Sequence, residues 1–282
     1  MYELTEQGHR QEGTKHEERM LNLQKTELYK LLDLKGMERL ENKKQRMQNL
    51  LKIAEPDEAL YREIMLALGY RHNKVQFLEL AMITPYSEIR KLKERDIIEQ
   101  ALLYRAGLTE ENDLLPGDFD LSLKMEKFVW NYKGVRPSNY PEKRIRDISG
   151  FLEETCKEGI YLYLRQKIEQ NYVQPVTKEA AIRIVNKIAT FKEIGKMRRL
   201  EIFFNIILPF YEVVFEKKGL RELVEFLNTL YSKHPSLSDN SITRTMKKKI
   251  FRNELECKMV NSVRRYMGLI QLYYESSKKE KR

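Results

Sequence analysis

The sequence predicts an all-α globular protein of about ten or more helices with no substantial sheet. The chain has 282 residues, of which 41% are hydrophobic, but only 12 Gly and 8 Pro. A sheet protein of this length needs more turn residues. Apolar residues recur every three or four positions in most segments, and none shows the strict alternation of a half-buried strand.

The first part of the chain divides into an arm and several helices. Residues 1–24 are polar and mixed in charge, which predicts a flexible arm before a helical domain over 25–282. Gly36 is expected to interrupt the first helix. Pro56 occupies a favoured first-turn position, and Gly69 supplies a stop, so a second helix is expected between them.

The next segment combines helices with one acidic loop. Asn73 and Gln76 have the spacing of a capping box and predict a new helix. Helix is expected to resume after Pro85 and to end at Gly107. Residues 109–120 are acidic and rich in turn residues, which predicts a loop. A further helix over 121–132 carries the only tryptophan.

The longest well-marked break covers residues 133–146. Pro137 and Pro141 fix the backbone, and Pro141 is expected to start a helix. Two lobes of the domain are expected to meet near 134–140. The segment holds five basic residues and one Glu, so two interpretations stay open: a structural loop, and a surface for a polyanion.

The C-terminal half is expected to be helical as well. Thr177 is expected to cap one helix, and the apolar run before and after Pro209 is typical of a buried central helix. A last long helix is expected from about Asn240 to Tyr274. Along its start, three apolar and three basic residues each step by four, and the two sets lie on opposite sides. The sets are Ile242, Met246 and Ile250, and Arg244, Lys248 and Arg252.

The net charge of +10 is concentrated rather than spread. Residues 241–282 hold twelve Lys or Arg against four Glu, and residues 133–146 also carry excess positive charge, so the remainder is slightly acidic. A third basic group over 192–199 flanks Gly195. Localised positive charge favours a polyanionic partner, although Lys-rich final helices are also common solvated surfaces.

Several motifs together resemble a known family. The most specific contains Arg136, Pro137 and Ser138 followed by Asn139-Tyr140-Pro141 and Arg144-Ile145. The others, in chain order, are Gly36-Met37-Glu38-Arg39-Leu40 with Lys43, Ala67-Leu68-Gly69-Tyr70 with Asn73-Lys74, Ala101-Leu102-Leu103 with Ala106-Gly107-Leu108, Ile194-Gly195 with Arg198, and Gly268-Leu269-Ile270-Gln271-Leu272-Tyr273. They resemble the C-terminal helical part of an uncharacterised bacterial family, a domain of unknown function. Longer members carry an N-terminal part similar to a restriction-type nuclease, so the resemblance implies a fold and an association with nuclease-like sequence.

No catalytic or cofactor motif stands out. The four histidines, His9, His16, His72 and His234, lack spaced metal-ligand partners. Glu41-Asn42-Lys43 and Glu216-Lys217-Lys218 match the short string of restriction-type nucleases, but both are expected in helices rather than on strands. We therefore expect no cofactor and no metal site. Whether the chain is an enzyme stays open, and we lean against it for this chain alone.

Three functions remain from the sequence. The first is a non-catalytic module that binds DNA or RNA through the basic loop and the basic C-terminal helix. Its expected binding residues are Lys133, Arg136, Tyr140, Lys143, Arg144, Arg244, Lys248 and Arg252. The second is an interaction or scaffold subunit that partners a nuclease-like protein or self-associates, and the third is a hydrolase with a dispersed site. No apolar run reaches the ~18 residues of a membrane span, and two cysteines give no disulfide framework, so a cytoplasmic setting is expected.

Overall fold

The computed structural model describes residues 25–279 and confirms the all-α class, since none of these residues lies in a β-strand. No helix among them is long and apolar enough to cross a membrane. The helices are α1 (Lys25–Leu50), α2 (Pro56–Leu68), α3 (Lys74–Ile83), α4 (Tyr86–Leu92), α5 (Arg95–Arg105), α6 (Pro141–Thr155), α7 (Ile160–Gln170), α8 (Lys178–Ile188), α9 (Lys196–Ile202), α10 (Leu208–Lys217), α11 (Arg221–Lys233), α12 (Ser241–Ile250), α13 (Glu254–Cys257) and α14 (Val263–Lys279).

The chain forms two compact units. One contains the described residues 25–45, Val173–Arg183 and 224–279, and the other contains Arg46–Tyr172 and Ile184–Leu223. Residues 134–140, the predicted meeting point of two lobes, lie within the second unit. The predicted arm over 1–24 lies outside the described residues.

In the first unit, glycines allow α1 and α14 to touch at the backbone. A Cβ atom on Gly36 would lie 2.1 Å from the carbonyl oxygen of Arg264, and one on Gly268 would lie 2.2 Å from that of Leu32. The hydroxyl of Tyr231 donates to the Gly36 carbonyl at 3.0 Å. The predicted interruption at Gly36 is therefore wrong: α1 continues through it, because this glycine serves helix packing rather than helix termination.

In the second unit, a long apolar segment forms the centre. A π-helical turn, Phe203–Ile207, joins α9 to α10, and almost every residue from Ile202 to Phe215 is buried. Pro209 follows this turn. Because proline lacks an N–H and its ring crowds the preceding turn, a widened turn lets the helix continue past it. The predicted buried central helix is confirmed.

An irregular segment replaces the helix predicted over 121–132, apart from a short 3-10 turn at Lys127–Val129. Hydrogen bonds to residues distant in the chain fix the path of this segment. Trp130 is buried and its indole N–H donates to the Ala106 carbonyl at 2.7 Å. The side chain of Asn73 bonds to the backbone of Asn131 in both directions, at 2.8 and 2.9 Å. Asn73 thus starts α3 as predicted but forms no capping box, since its side chain is used elsewhere.

The predicted last long helix is also broken. Helix α12 ends at Ile250, and Phe251 takes an extended conformation with φ −103° and ψ 139°. Asn253 then accepts from the backbone N–H of Glu256 at 2.9 Å, which begins the short α13. Local side-chain bonding of this kind competes with helix continuation. The basic helix is therefore α12 alone, and α14 follows as a separate helix.

Candidate nucleic-acid interface

The basic loop is built from two successive turns in the second unit. The carbonyl of Tyr132 accepts from the N–H of Val135 at 3.2 Å, and Gly134 between them has φ +71°, which L side chains rarely adopt. A 3-10 turn, Pro137–Asn139, follows, and Pro141 opens α6. The turns leave the side chains of Lys133 and Arg136 exposed, and neither has an ion-pair partner within residues 25–279.

Tyr140 is half-buried rather than fully exposed. Its ring contacts the ring of Tyr132 edge to face, with centroids 5.1 Å apart. The Tyr132 hydroxyl in turn donates to Glu142 at 2.5 Å. One part of the Tyr140 ring is thus already packed, which leaves only the remaining surface for a stacked base.

Arg144 and Lys143 converge on one carboxylate of α6. Asp147 is buried and lies within hydrogen-bonding contact of the Lys143 ammonium. The Arg144 guanidinium is 3.6 Å from Asp147 and also donates to the amide oxygen of Asn139. Arg144 is only 7% exposed, so it holds the loop onto α6 as well as carrying charge.

The basic helix α12 lies in the first unit and has the two opposed faces predicted for it. Its start is fixed by a reciprocal cap: Asn240 accepts from the Thr243 N–H, and Thr243 accepts from the Asn240 N–H, both at 3.0 Å. Met246 and Ile250 are buried, and Ile242 is half-buried. This apolar side packs against α14.

The opposite side of α12 carries exposed cations. Arg244 and Lys248 are exposed, and neither has an ion-pair partner within residues 25–279. Lys247 differs, because it pairs with Asp239 at 2.8 Å. Arg252 is exposed too but lies beyond the end of the helix, where its backbone N–H donates to Glu256 at 2.8 Å. The predicted stripe therefore has two members on the helix and one in the turn after it.

A contact that sequence reasoning did not predict involves Tyr70 and Arg198. The Arg198 guanidinium lies over the Tyr70 ring, 4.2 Å from its centroid. Tyr70 has φ +51°, which is uncommon for an aromatic residue, and its side chain is partly exposed. Both residues stand in motifs of the family resemblance, but nothing in their spacing indicated that they would meet.

Arg144 of the basic loop segment and Arg198 of the third basic group are both mostly buried arginines. Burial lowers the pKa of Arg144, and the nearby positive charge of Arg198 lowers it further, against the opposing effect of Asp147. Burial also lowers the pKa of Arg198, although Glu201, 2.7 Å away, opposes this. Burial therefore disfavours the charged form of both guanidinium groups.

Two acidic residues at a cavity of the second unit already accept hydrogen bonds from other parts of that unit. A cavity of about 480 Å³ opens near the first turns of α2 and α4. Its Asp57 accepts from the Tyr161 N–H at 2.7 Å, and its Glu58 accepts from the Tyr86 N–H and from Arg62, both at 2.8 Å. Within residues 25–279, no three His, Cys, Asp or Glu side chains are grouped to hold a metal ion.

The described residues that were candidates for nuclease or histidine chemistry lie in helices, in a buried position or in a loop. The string Glu41-Asn42-Lys43 lies inside α1, and Glu216-Lys217 closes α10. His234 is buried and its Nδ1 lies 2.8 Å from the Pro235 carbonyl. His72 is exposed in the loop before α3, whereas His9 and His16 lie outside the described residues.

Comparison with known proteins identifies the family. The model of one family, described as a protein of unknown function (DUF2851), matches residues 3–241. The chain belongs to the DUF2851 family. The match to DUF2851 includes the basic loop, Tyr70 and Arg198, and it ends at the first residue of α12. No curated protein and no solved structure matches the chain.

Proposed function

We propose that this protein is a non-catalytic helical module that binds nucleic acid. The contacting side chains are the exposed cations of α12 and of the basic loop: Arg244, Lys248, Arg252, Lys133 and Arg136. Lys143, Arg144 and Tyr140 follow Lys133 and Arg136 in the second unit, and each has a partner within that unit. Positively charged groups in such positions contact phosphates and set affinity rather than base preference.

The observation that carries the proposal is the separation of the two faces of α12. Its apolar side is buried against α14, and its outward side presents Arg244 and Lys248 to solvent without a neighbouring carboxylate partner in the described residues. A helix that only needs to be soluble gains from mixed charges on its outer face, since like charges repel. A one-sign face instead suits a polyanion.

Fluorescence anisotropy with labelled single- and double-stranded DNA and RNA, from about 50 to about 300 mM salt, tests the proposal. With five phosphate contacts, the logarithm of the association constant should fall on duplex DNA with a slope of about −4.5 against the logarithm of salt concentration. The double variant Arg244→Ala/Lys248→Ala should bind more weakly and reduce the slope by about 2.

A matched control removes two exposed lysines from other helices, Lys91→Ala and Lys187→Ala. Net charge then falls equally in both double variants. If the control weakens binding as much as the α12 variant, only net charge matters and the proposed surface is wrong. Absence of binding at about 50 mM salt contradicts the function itself.

A second function, association with a protein partner or with another copy of this chain, is favoured by exposed apolar residues. Phe128 is 83% exposed and Val75 is 70% exposed. They immediately precede Val129 and Gln76, which are joined by a hydrogen bond of 3.1 Å. Light scattering over a concentration series tests self-association: the wild type should form a dimer that Phe128→Ser weakens, and a concentration-independent monomer would contradict it. Co-purification with a separately encoded nuclease-like protein tests the other partner.

A further inference from the structure

The cavity of about 480 Å³ in the second unit has walls of two kinds. Ile53, Ala54 and Pro85 form an apolar part, and the charged residues come from α2, α4 and the residue before α2. The volume lies within the roughly 300–1,000 Å³ of small-ligand sites, which combine apolar walls with a few fixed polar groups. The cavity therefore has the size and the composition of a site for a small molecule.

Two carboxylates of the cavity hold the helices around it in place. Asp57 accepts from the backbone N–H of Tyr161 at 2.7 Å, at the start of α7. Glu58 accepts from the backbone N–H of Tyr86 at 2.8 Å, at the start of α4. Carboxylates are stabilising at helix starts, where backbone N–H groups lack partners within the helix. Because these bonds connect the starts of α2, α4 and α7, the position of the walls does not depend on a ligand.

Two arginines of the cavity keep N–H donors that the protein does not use. Arg62 donates from Nε to Glu58 at 2.8 Å, and its two terminal nitrogens have no hydrogen-bond partner within residues 25–279. Arg90 donates to two backbone carbonyls, both at 3.1 Å, through two of its three nitrogens. Its third nitrogen lies 3.9 Å from Asp57, beyond hydrogen-bonding distance. Both arginines line the cavity and are partly exposed, so these donors are accessible to a ligand.

One carboxylate of the cavity is unused as well. Glu55, the residue before α2, is exposed, and its side chain has no hydrogen-bond or ion-pair partner in the described part of the chain. The cavity as a whole is lined by three carboxylates and two guanidinium groups. A ligand with only a carboxylate would meet excess negative charge, and a ligand with only an amine would leave the guanidinium donors unused. A ligand that carries one group of each sign matches both.

We propose that the cavity binds a small zwitterion, an amino acid or short peptide with an apolar side chain. Its carboxylate accepts from the unused N–H groups of Arg62 and Arg90, since a planar guanidinium matches the oxygens of a carboxylate. Its ammonium pairs with Glu55, and its side chain lies against Ile53 and Pro85. This inference goes beyond nucleic-acid binding and does not depend on it, because the cavity shares no residue with the proposed cationic surface.

Isothermal titration calorimetry of the full chain with L-leucine tests the proposal, and two analogues separate its charged groups. Isocaproate keeps the carboxylate and the side chain of leucine but lacks the ammonium, and isoamylamine lacks the carboxylate. We expect saturable binding of leucine and binding of each analogue that is weaker by about tenfold or more. This comparison uses only the wild type, so it does not depend on the folding of a variant.

Equal binding of leucine and either analogue overturns the proposal. So does the absence of binding when leucine and leucyl-leucine are each supplied at about 10 mM. Tighter binding of leucyl-leucine than of leucine supports the proposal with a peptide as the ligand, and the reverse order supports it with a free amino acid.

Arg62→Met tests the carboxylate contact, because it keeps the side-chain stem and loses the guanidinium. It should weaken leucine binding by about tenfold. Arg165→Met is the matched control: Arg165 is 29% exposed, against 30% for Arg62, and pairs at 2.7 Å with a glutamate one turn away, but it does not line the cavity. This control should bind leucine like the wild type. Unchanged affinity in Arg62→Met, or equal losses in the two variants, overturns the proposed site.

Glu55→Gln tests the ammonium contact with little effect on the fold, because the side chain is exposed and forms no helix cap. The variant should lose most of the preference for leucine over isocaproate. Glu79→Gln, which removes an exposed carboxylate from α3, should keep that preference. An undiminished preference in Glu55→Gln overturns the proposed binding of a zwitterion.

Discussion

The contact between α1 and α14 gives the sharpest test of the structure. In Gly36→Ala, the added Cβ would lie 2.1 Å from the Arg264 carbonyl oxygen and 2.9 Å from its carbon. Both are backbone atoms, so no side-chain rotation relieves the overlap. The helices would have to separate by about 1 Å, because carbon and oxygen do not approach closer than roughly 3 Å without a bond.

The magnitude follows from two opposing effects. Alanine gains about 1 kcal/mol over glycine within a helix, whereas overpacking of this kind costs about 1–3 kcal/mol or more. Separation also stretches the 3.0 Å bond from Tyr231 to the Gly36 carbonyl and the 2.9 Å pair between Arg264 and Asp33. We therefore expect Gly36→Ala to lower the free energy of unfolding by about 2 kcal/mol, which lowers the Tm by about 4–8 °C.

Urea unfolding followed by far-ultraviolet circular dichroism measures the change. Gly117→Ala is the control, since nothing lies within 4 Å of its added Cβ, and it should stay within about 0.5 kcal/mol of the wild type. Stability of Gly36→Ala equal to or above that of the wild type would refute the close backbone contact. Gly268→Ala provides an independent repeat, because its Cβ would lie 2.2 Å from the Leu32 carbonyl oxygen.

Three further predictions concern the second unit. Glu88→Gln should destabilise it by about 2 kcal/mol, because Arg105, whose side chain is 1% exposed, loses the carboxylate 2.9 Å away and keeps a buried charge. In Tyr163→Phe, the free energy of unfolding should depend less on pH above pH 10 than it does in the wild type. Burial raises the pKa of Tyr163 from 10.0 to about 12, so the stabilisation linked to this group is complete below pH 10 and is lost as pH rises through 12. Gly107→Ala should cost about 1–3 kcal/mol, since its φ is +67° and its Cβ would lie 2.1 Å from the Met125 carbonyl oxygen.

Each of these predictions has its own control. Glu79→Gln removes an exposed carboxylate from α3 and should be nearly neutral, so equal losses in it and in Glu88→Gln would contradict the role of the Arg105 pair. For Tyr163→Phe, the pH dependence below about pH 9 must match that of the wild type, and an unchanged profile above it refutes the assignment. For Gly107→Ala, Gly117→Ala again serves as the unstrained comparison.

Local rules predicted the parts of the fold that depend on neighbouring residues alone. Pro56 starts α2, Asn240 caps α12, and Thr177 accepts from the Ala180 N–H at 3.1 Å ahead of α8. The opposed faces of α12 followed from four-residue periodicity, because a helix that packs on one side must bury its apolar stripe. The exposure of Lys133 and Arg136 agrees with a loop placed on the surface, and their binding role stays a prediction.

Local rules failed where distant residues compete for the same backbone or side chain. Asn73 has a capping spacing, but its amide is used by the segment around Asn131. The predicted helix over 121–132 does not form, because bonds such as that from Trp130 to Ala106 fix an irregular path. The predicted last helix ends at Ile250, since Asn253 bonds locally and begins a new turn.

The sequence by itself determined the all-α class, most helix starts and the concentration of positive charge, because each depends on composition or on short-range spacing. The tertiary structure decided why Gly36 is a glycine and which basic residues are already paired. It also placed the Arg198 guanidinium over the Tyr70 ring, and no periodicity encodes that contact, since the two residues lie far apart in the chain. That contact is a property of the folded chain, because Tyr70 and Arg198 come from segments that only the tertiary fold brings together.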